Sequence, residues 1–141
     1  QLPLWECPDG HVTVEETVDA ETLPRDGHHA VASALARRYA PDNLTTTNLV
    51  LAETWTYVRR RADHRLAIRW LDFVLAHRRI VVERIDGELE AEAWAWLRVH
   101  DERPYSFVDA TSFALMRRKR ITDALAFDGD FAAAGFNELR A

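Results

Sequence analysis

Four carboxylates carry the chemistry that can be read directly from this chain. Asp109 closes S-F-V-D at 106–109, and Asp128 and Asp130 flank Gly129 in F-D-G-D-F at 127–131. Glu53 lies within L-V-L-A-E-T-W-T-Y-V at 49–58. Ser106 is expected to open a helix with Asp109 in its first turn, and a short apolar strand is expected to end at Asp128. A helix start and a strand end can meet at one edge of a sheet, which would gather Asp109, Asp128 and Asp130 there. Gathered carboxylates repel one another unless protons or a cation neutralise them. Carboxylate and water oxygens suit hard cations, so the expected occupant is Mg²⁺ or Mn²⁺.

Each carboxylate also has a plainer reading. Asp109 follows Ser106 at capping-box spacing and could simply satisfy backbone N–H groups. Asp128 and Asp130 are ordinary turn residues beside a glycine, although two phenylalanines enclose that turn. Glu53 has Leu49, Val50, Thr56 and Tyr57 at helical spacing, a largely apolar face. A carboxylate buried there needs either a metal or an arginine partner.

Other chemistries find little support. His28 and His29 are adjacent and make a poor zinc pair, and neither C-x-x-C nor H-x-x-x-H is present. There is no Gly-rich phosphate loop and no G-x-S-x-G elbow. Cys7 is the only cysteine, so no internal disulfide forms. The N-terminus lacks the basic start and apolar core of a signal peptide, and no apolar run has the length of a membrane span. A cytoplasmic protein that does not enter the membrane is the default expectation.

Composition is that of an ordinary globular chain: 141 residues, 48% hydrophobic and 29% charged, enough for one domain over 1–141 with a single core. A net charge of −5 opposes indiscriminate binding to polyanions. Cations are nevertheless concentrated at Arg59-Arg60-Arg61, Arg78-Arg79 and Arg117-Arg118-Lys119-Arg120. Solvated helix C-termini explain such runs, and contacts to nucleic-acid phosphates are the sharper alternative. The five tryptophans fall mostly at helical spacing and read as core.

The elements that must position these groups alternate. Val12 and Val14 suggest a short strand over His11–Glu15, and 15–26 reads as an acidic loop. Helices are expected over His28–Tyr39, Leu49–Arg61 with Asn48 as N-cap, Asp63–His77, Asp86–His100 and from Ser106 onward. Strands are expected at Leu44–Thr47, Arg79–Ile85 (the clearest buried run), Thr122–Phe127 and Asn137–Arg140. Alternation of this kind predicts a parallel α/β sheet covered by helices on both faces. Ligands in such sheets collect beyond the carboxyl ends of the strands, where Asp128 falls.

Taken together, T-N-L-V-L-A-E-T-W at 47–55, S-F-V-D-A-T-S-F from 106, and F-D-G-D-F with the later G-F resemble the PIN domain family, and within it the VapC-like toxins of toxin–antitoxin pairs. The resemblance runs from about His28 to Phe136. It implies a three-layer α/β/α domain with a central parallel sheet and an acidic pocket for Mg²⁺ or Mn²⁺ that cleaves RNA. It further implies an antitoxin protein partner and a homodimer, with Trp70 on the third helix as a contact. By resemblance, Glu53 matches the helix-borne acid, Asp109 the central metal ligand, Asp128 the aspartate after the late strand, and Asp130 the additional acid. Ser106 matches a small polar residue beside the pocket.

The N-terminus departs from the family. The family's first strand ends in Asp followed by Thr or Ser, and neither pair occurs in V-T-V-E-E-T-V-D-A-E-T-L-P-R-D-G-H-H. Residues 1–26 are therefore atypical, with Glu15 or Asp19 as the carboxylate that completes the site. Gln1 is not preceded by methionine, which is consistent with a longer or altered reading frame. Two functions stand: a metal-dependent endoribonuclease with Glu53, Asp109 and Asp128 as catalytic groups, or a catalytically weak PIN-fold module that binds RNA or an antitoxin-like protein. A different Mg²⁺-dependent phosphoryl-transfer fold is the lesser alternative.

Overall fold

The structure is a computed structural model, and it describes residues 4–5, 44–126 and 129–139. Within them a parallel five-stranded sheet forms from β1 (Leu4–Trp5), β2 (Leu44–Thr47), β3 (Ile80–Glu83), β4 (Asp123–Leu125) and β5 (Asn137–Glu138), in the order β3-β2-β1-β4-β5. β1 lies between β2 and β4, with Leu4 opposite both Thr45 and Ala124. The expected strand at His11–Glu15 and helix at His28–Tyr39 lie outside the described residues. The central strand is contributed by Leu4–Trp5.

β2 is L-T-T-T, three β-branched threonines in a row, and all four residues are buried. That composition suits a strand enclosed on both faces. Between β2 and β3 the chain makes α1 (Asn48–Arg61) and α2 (His64–Ala76). Between β3 and β4 it makes α3 (Gly87–Val99) and α4 (Phe107–Lys119), and a single turn, α5 (Asp130–Ala133), leads into β5.

β4 shows how the layers are assigned. Successive strand residues point to opposite faces. Leu125 packs with Val58, Leu66, Trp70 and Val74 of α1 and α2, whereas Ala124 and Ala126 pack with Leu89, Phe113 and Met116 of α3 and α4. Two cores therefore sandwich one sheet, giving the three-layer α/β/α arrangement.

Several boundaries differ from expectation. Arg79–Ile85 shortens to Ile80–Glu83 and is only partly buried, because β3 is an edge strand with helices covering it incompletely. Thr47 rather than Asn48 caps α1, its hydroxyl accepting from Val50 N at 3.0 Å. Asn48 instead accepts from Ile85 N at 2.7 Å, tying the start of α1 to the chain leaving β3. Trp70 is 1% exposed at the centre of the first core, which removes it as a dimer contact. Trp94, at 46% exposure, departs from the expectation of tryptophans as core and stacks on Phe107.

Candidate metal centre

The start of α4 places Asp109. Ser106 Oγ accepts from Asp109 N at 2.9 Å, and Ser106 N donates to Asp109 Oδ2 at 3.3 Å, a reciprocal capping box. Asp109 is only 9% exposed, and Ala110 and Phe113, which follow it on α4, are fully buried. The capping reading of Asp109 is correct, and it does not exhaust the residue: a solvated cap has no need of a buried carboxylate. The helix N-terminus offsets part of the charge.

Phe113 fixes the rotation of α4. Its ring lies 4.8 Å from Phe131, 5.2 Å from Trp96 and 5.8 Å from Tyr105, all edge-on. The loop before α4, the helix itself and α5 are thereby held as one unit beside Asp109.

α1 starts at the same sheet edge, directly after β2. Glu53 lies about 7–8 Å along that helix at 1.5 Å per residue. The expectation of a buried Glu53 is not met. Val50, Thr54 and Val58 form the buried stripe, while Leu49, Thr56 and Tyr57 are half-buried and Glu53 as a residue is exposed. Its carboxylate is still partly desolvated by surrounding protein, which raises its pKa above the ordinary glutamate range. Among the described residues no arginine or lysine forms an ion pair with it.

Asp130 is placed differently. Arg103 Nε donates to its Oδ1 at 2.7 Å, and Asp130 is 14% exposed on its side chain. Gly129 precedes it with φ 84, a left-handed conformation that favours glycine. A Cβ at Gly129 would come within 3.3 Å of the Arg103 guanidinium, so the glycine also permits this close approach. Glu138, 8% exposed, accepts from Ala132 N at 2.9 Å and secures the other side of α5.

Asp128, Glu15 and Asp19 lie outside the described residues. Among the described residues no three His, Cys, Asp or Glu side chains gather closely enough to hold a metal ion. Asp109 and Glu53 have the chemistry a hard cation requires, namely carboxylate oxygens under partial desolvation. Asp130 already has a cation in Arg103. Sequence reading passed over Arg103 and Glu138. The first had a signal, a lone arginine just before the capping serine, and the second had none.

The basic runs divide. Arg118 meets Asp86 at 3.1 Å and Glu88 at 3.4 Å, and Lys119 meets Glu83 at 2.8 Å. Arg59-Arg60-Arg61 end α1 in solvent, and Arg78-Arg79 lie exposed between α2 and β3.

A parallel α/β/α sandwich is a fold that collects ligands beyond the carboxyl edge of its sheet. Comparison with known proteins gives the family. The PIN domain matches residues 17–137, and the chain belongs to the PIN domain family. It is 50% identical over 115 residues to the 23S rRNA-specific endonuclease VapC20 of two Mycobacterium tuberculosis strains, spanning 82% of this chain and 86% of the relative. The crystal structure of M. tuberculosis VapC20, described as a Sarcin-Ricin loop cleaving toxin, superposes with a TM-score of 0.80 at 41% identity, covering 98% of this chain and 99% of that one. Among the described residues no helix is long and apolar enough to cross a membrane.

Proposed function

We propose that this chain is a metal-dependent endoribonuclease, the toxin of a toxin–antitoxin pair, acting on structured RNA. The observation that carries the reading is the placement of Asp109, a buried carboxylate at the start of α4 on the sheet edge from which α1 and Glu53 also begin. Half the residues aligned with the 23S rRNA-specific endonuclease VapC20 are identical, which supports the same reaction class.

Asp109 and Glu53 would hold the ion, Mg²⁺ or Mn²⁺, with Asp128 and a carboxylate from the N-terminal segment completing the set. When bound, the cation supplies charge stabilisation at the scissile phosphate and a more acidic water. The protein's own groups do the positioning. The Ser106 cap fixes the Asp109 carboxylate, and the Phe113 cluster fixes the helix that carries it. Held to the ion through a water rather than directly, Glu53 can accept that water's proton. Arg103 neutralises Asp130, which leaves Asp130 to order the turn after β4 rather than to add negative charge. Partnership with an antitoxin protein, pairing into a homodimer and a cytoplasmic location belong to the same proposal.

One observation favours the alternative of a catalytically weak binding module. The residues that follow β1 in the sequence are Glu6 and Cys7, not the Asp-Thr or Asp-Ser of the family. Calorimetric titration with Mn²⁺ separates the two readings. The nuclease reading expects binding that is lost in both Glu53→Gln and Asp109→Asn. No Mn²⁺ binding by the parent protein selects the module.

A further inference from the structure

We infer that the corner joining α1 to α2 is a second RNA-backbone contact, set apart from the acidic edge. This inference rests on the ribonuclease reading above and deepens it. The hairpin over residues 48–76 holds five arginines, at 59, 60, 61, 65 and 69, against three carboxylates, in a chain whose net charge is −5. All five arginines are exposed. None has an ion-pair partner among the described residues, whereas Arg103, Arg118 and Lys119 are each matched to an acid. One of the three carboxylates, Asp63, is engaged as the cap of α2, accepting from Leu66 N at 2.7 Å. Among the described residues, Arg118 and Lys119 at the end of α4 are paired with acids, whereas the five arginines of this corner are not.

One stripe of α1 leads from the acidic edge to the corner. Glu53, Tyr57 and Arg60 fall at i, i+4 and i+7 on one stripe of α1. The Arg61 guanidinium lies 5.3 Å from the Tyr57 ring centre, which orients it. On α2, Arg65 and Arg69 share a face at i, i+4, about 6 Å apart along the axis. The C-terminus of α1 lies about 20 Å from its N-terminus, so a single-stranded fragment filling the acidic edge need not reach the corner, while a folded RNA spans both. Planar guanidinium groups favour phosphate oxygens, and phosphate contacts fix the register of a nucleic acid without reading its bases.

The test uses the Asp109→Asn protein for binding and the otherwise native protein for cleavage, each with Arg60→Gln/Arg61→Gln and with Arg65→Gln/Arg69→Gln. Probes are a labelled RNA hairpin long enough to span both regions, a short single-stranded RNA and polyglutamate. The inference expects hairpin affinity to fall about tenfold in each double variant, with a salt slope shallower by about one per lost contact. Cleavage of the short RNA is expected to stay unchanged, and circular dichroism to report native helix. Unchanged hairpin affinity and slope overturn it. So does a corner that holds polyglutamate, and loses it in the variants, while hairpin binding is untouched. A native protein that neither binds nor cleaves either RNA removes the ribonuclease reading as well, which distinguishes the two failures.

Discussion

Arg103 Nε donates to Asp130 Oδ1 across 2.7 Å, joining the loop before α4 to the first residue of α5. The two side chains are 39% and 14% exposed, so the pair is screened on one side and sheltered on the other. Removing Arg103 leaves a mostly sheltered aspartate beside the acidic edge with one cation fewer.

Arg103→Ala is therefore expected to lower stability by about 1–2 kcal/mol, the range for a charge-assisted hydrogen bond discounted for exposure. Urea denaturation measures it. Asp130→Asn is expected to keep Mn²⁺ affinity within a few-fold of the parent, since Asp130 is already paired; a complete loss of binding would place Asp130 in the metal set instead.

Ser106→Ala removes the hydroxyl that accepts from Asp109 N. A lost N-cap costs about 1 kcal/mol. The midpoint of chemical denaturation should fall accordingly with an unchanged slope, and Ser106→Asp, another good cap, should recover most of the loss.

Glu53 has its pKa raised by desolvation, so the folded chain keeps its proton over a pH window in which the unfolded chain has released it. Stability contributed at this position therefore falls as pH rises through that window. The penalty is absent below the unfolded value and complete above the folded one. With EDTA present, Glu53→Gln is expected to be more stable than the parent at neutral pH and to lose that advantage on acidification. Parallel denaturation series at acidic and neutral pH check it.

Phe113 is fully buried with four aromatic rings around it. Phe113→Leu keeps an apolar core but loses ring contacts, at a cost of about 1–3 kcal/mol. Because this ring ties α4 to α5, proteolysis between 120 and 136 is expected to accelerate in the variant.

Much of the fold was readable because the chain's periodicities are clean. Asp63, Asp86 and Ser106 each stand just before an apolar helical repeat, and each caps the helix expected there. Asp109 was readable for the same reason: a capping box marks the helix start that carries it. Two features resisted. Leu4–Trp5 carries no alternation that local pattern can detect, and its place in the sheet depends on pairing with β2 and β4. The Arg103–Asp130 pair joins residues 27 apart in sequence, so spacing alone offers no trace of it. Glu53 was read from its neighbours as buried, whereas the stripe that reaches the core is Val50, Thr54 and Val58, one step around the helix.

RNA cleavage with and without chelation tests the central claim most directly. A labelled structured RNA is incubated with the protein in Mg²⁺ or Mn²⁺, then with EDTA, beside the Asp109→Asn variant. The account predicts discrete cleavage that stops with EDTA and is reduced at least a hundredfold in Asp109→Asn, a loss on the scale of removing a principal electrostatic group. Cleavage that persists in EDTA, or that Asp109→Asn leaves unchanged, contradicts it.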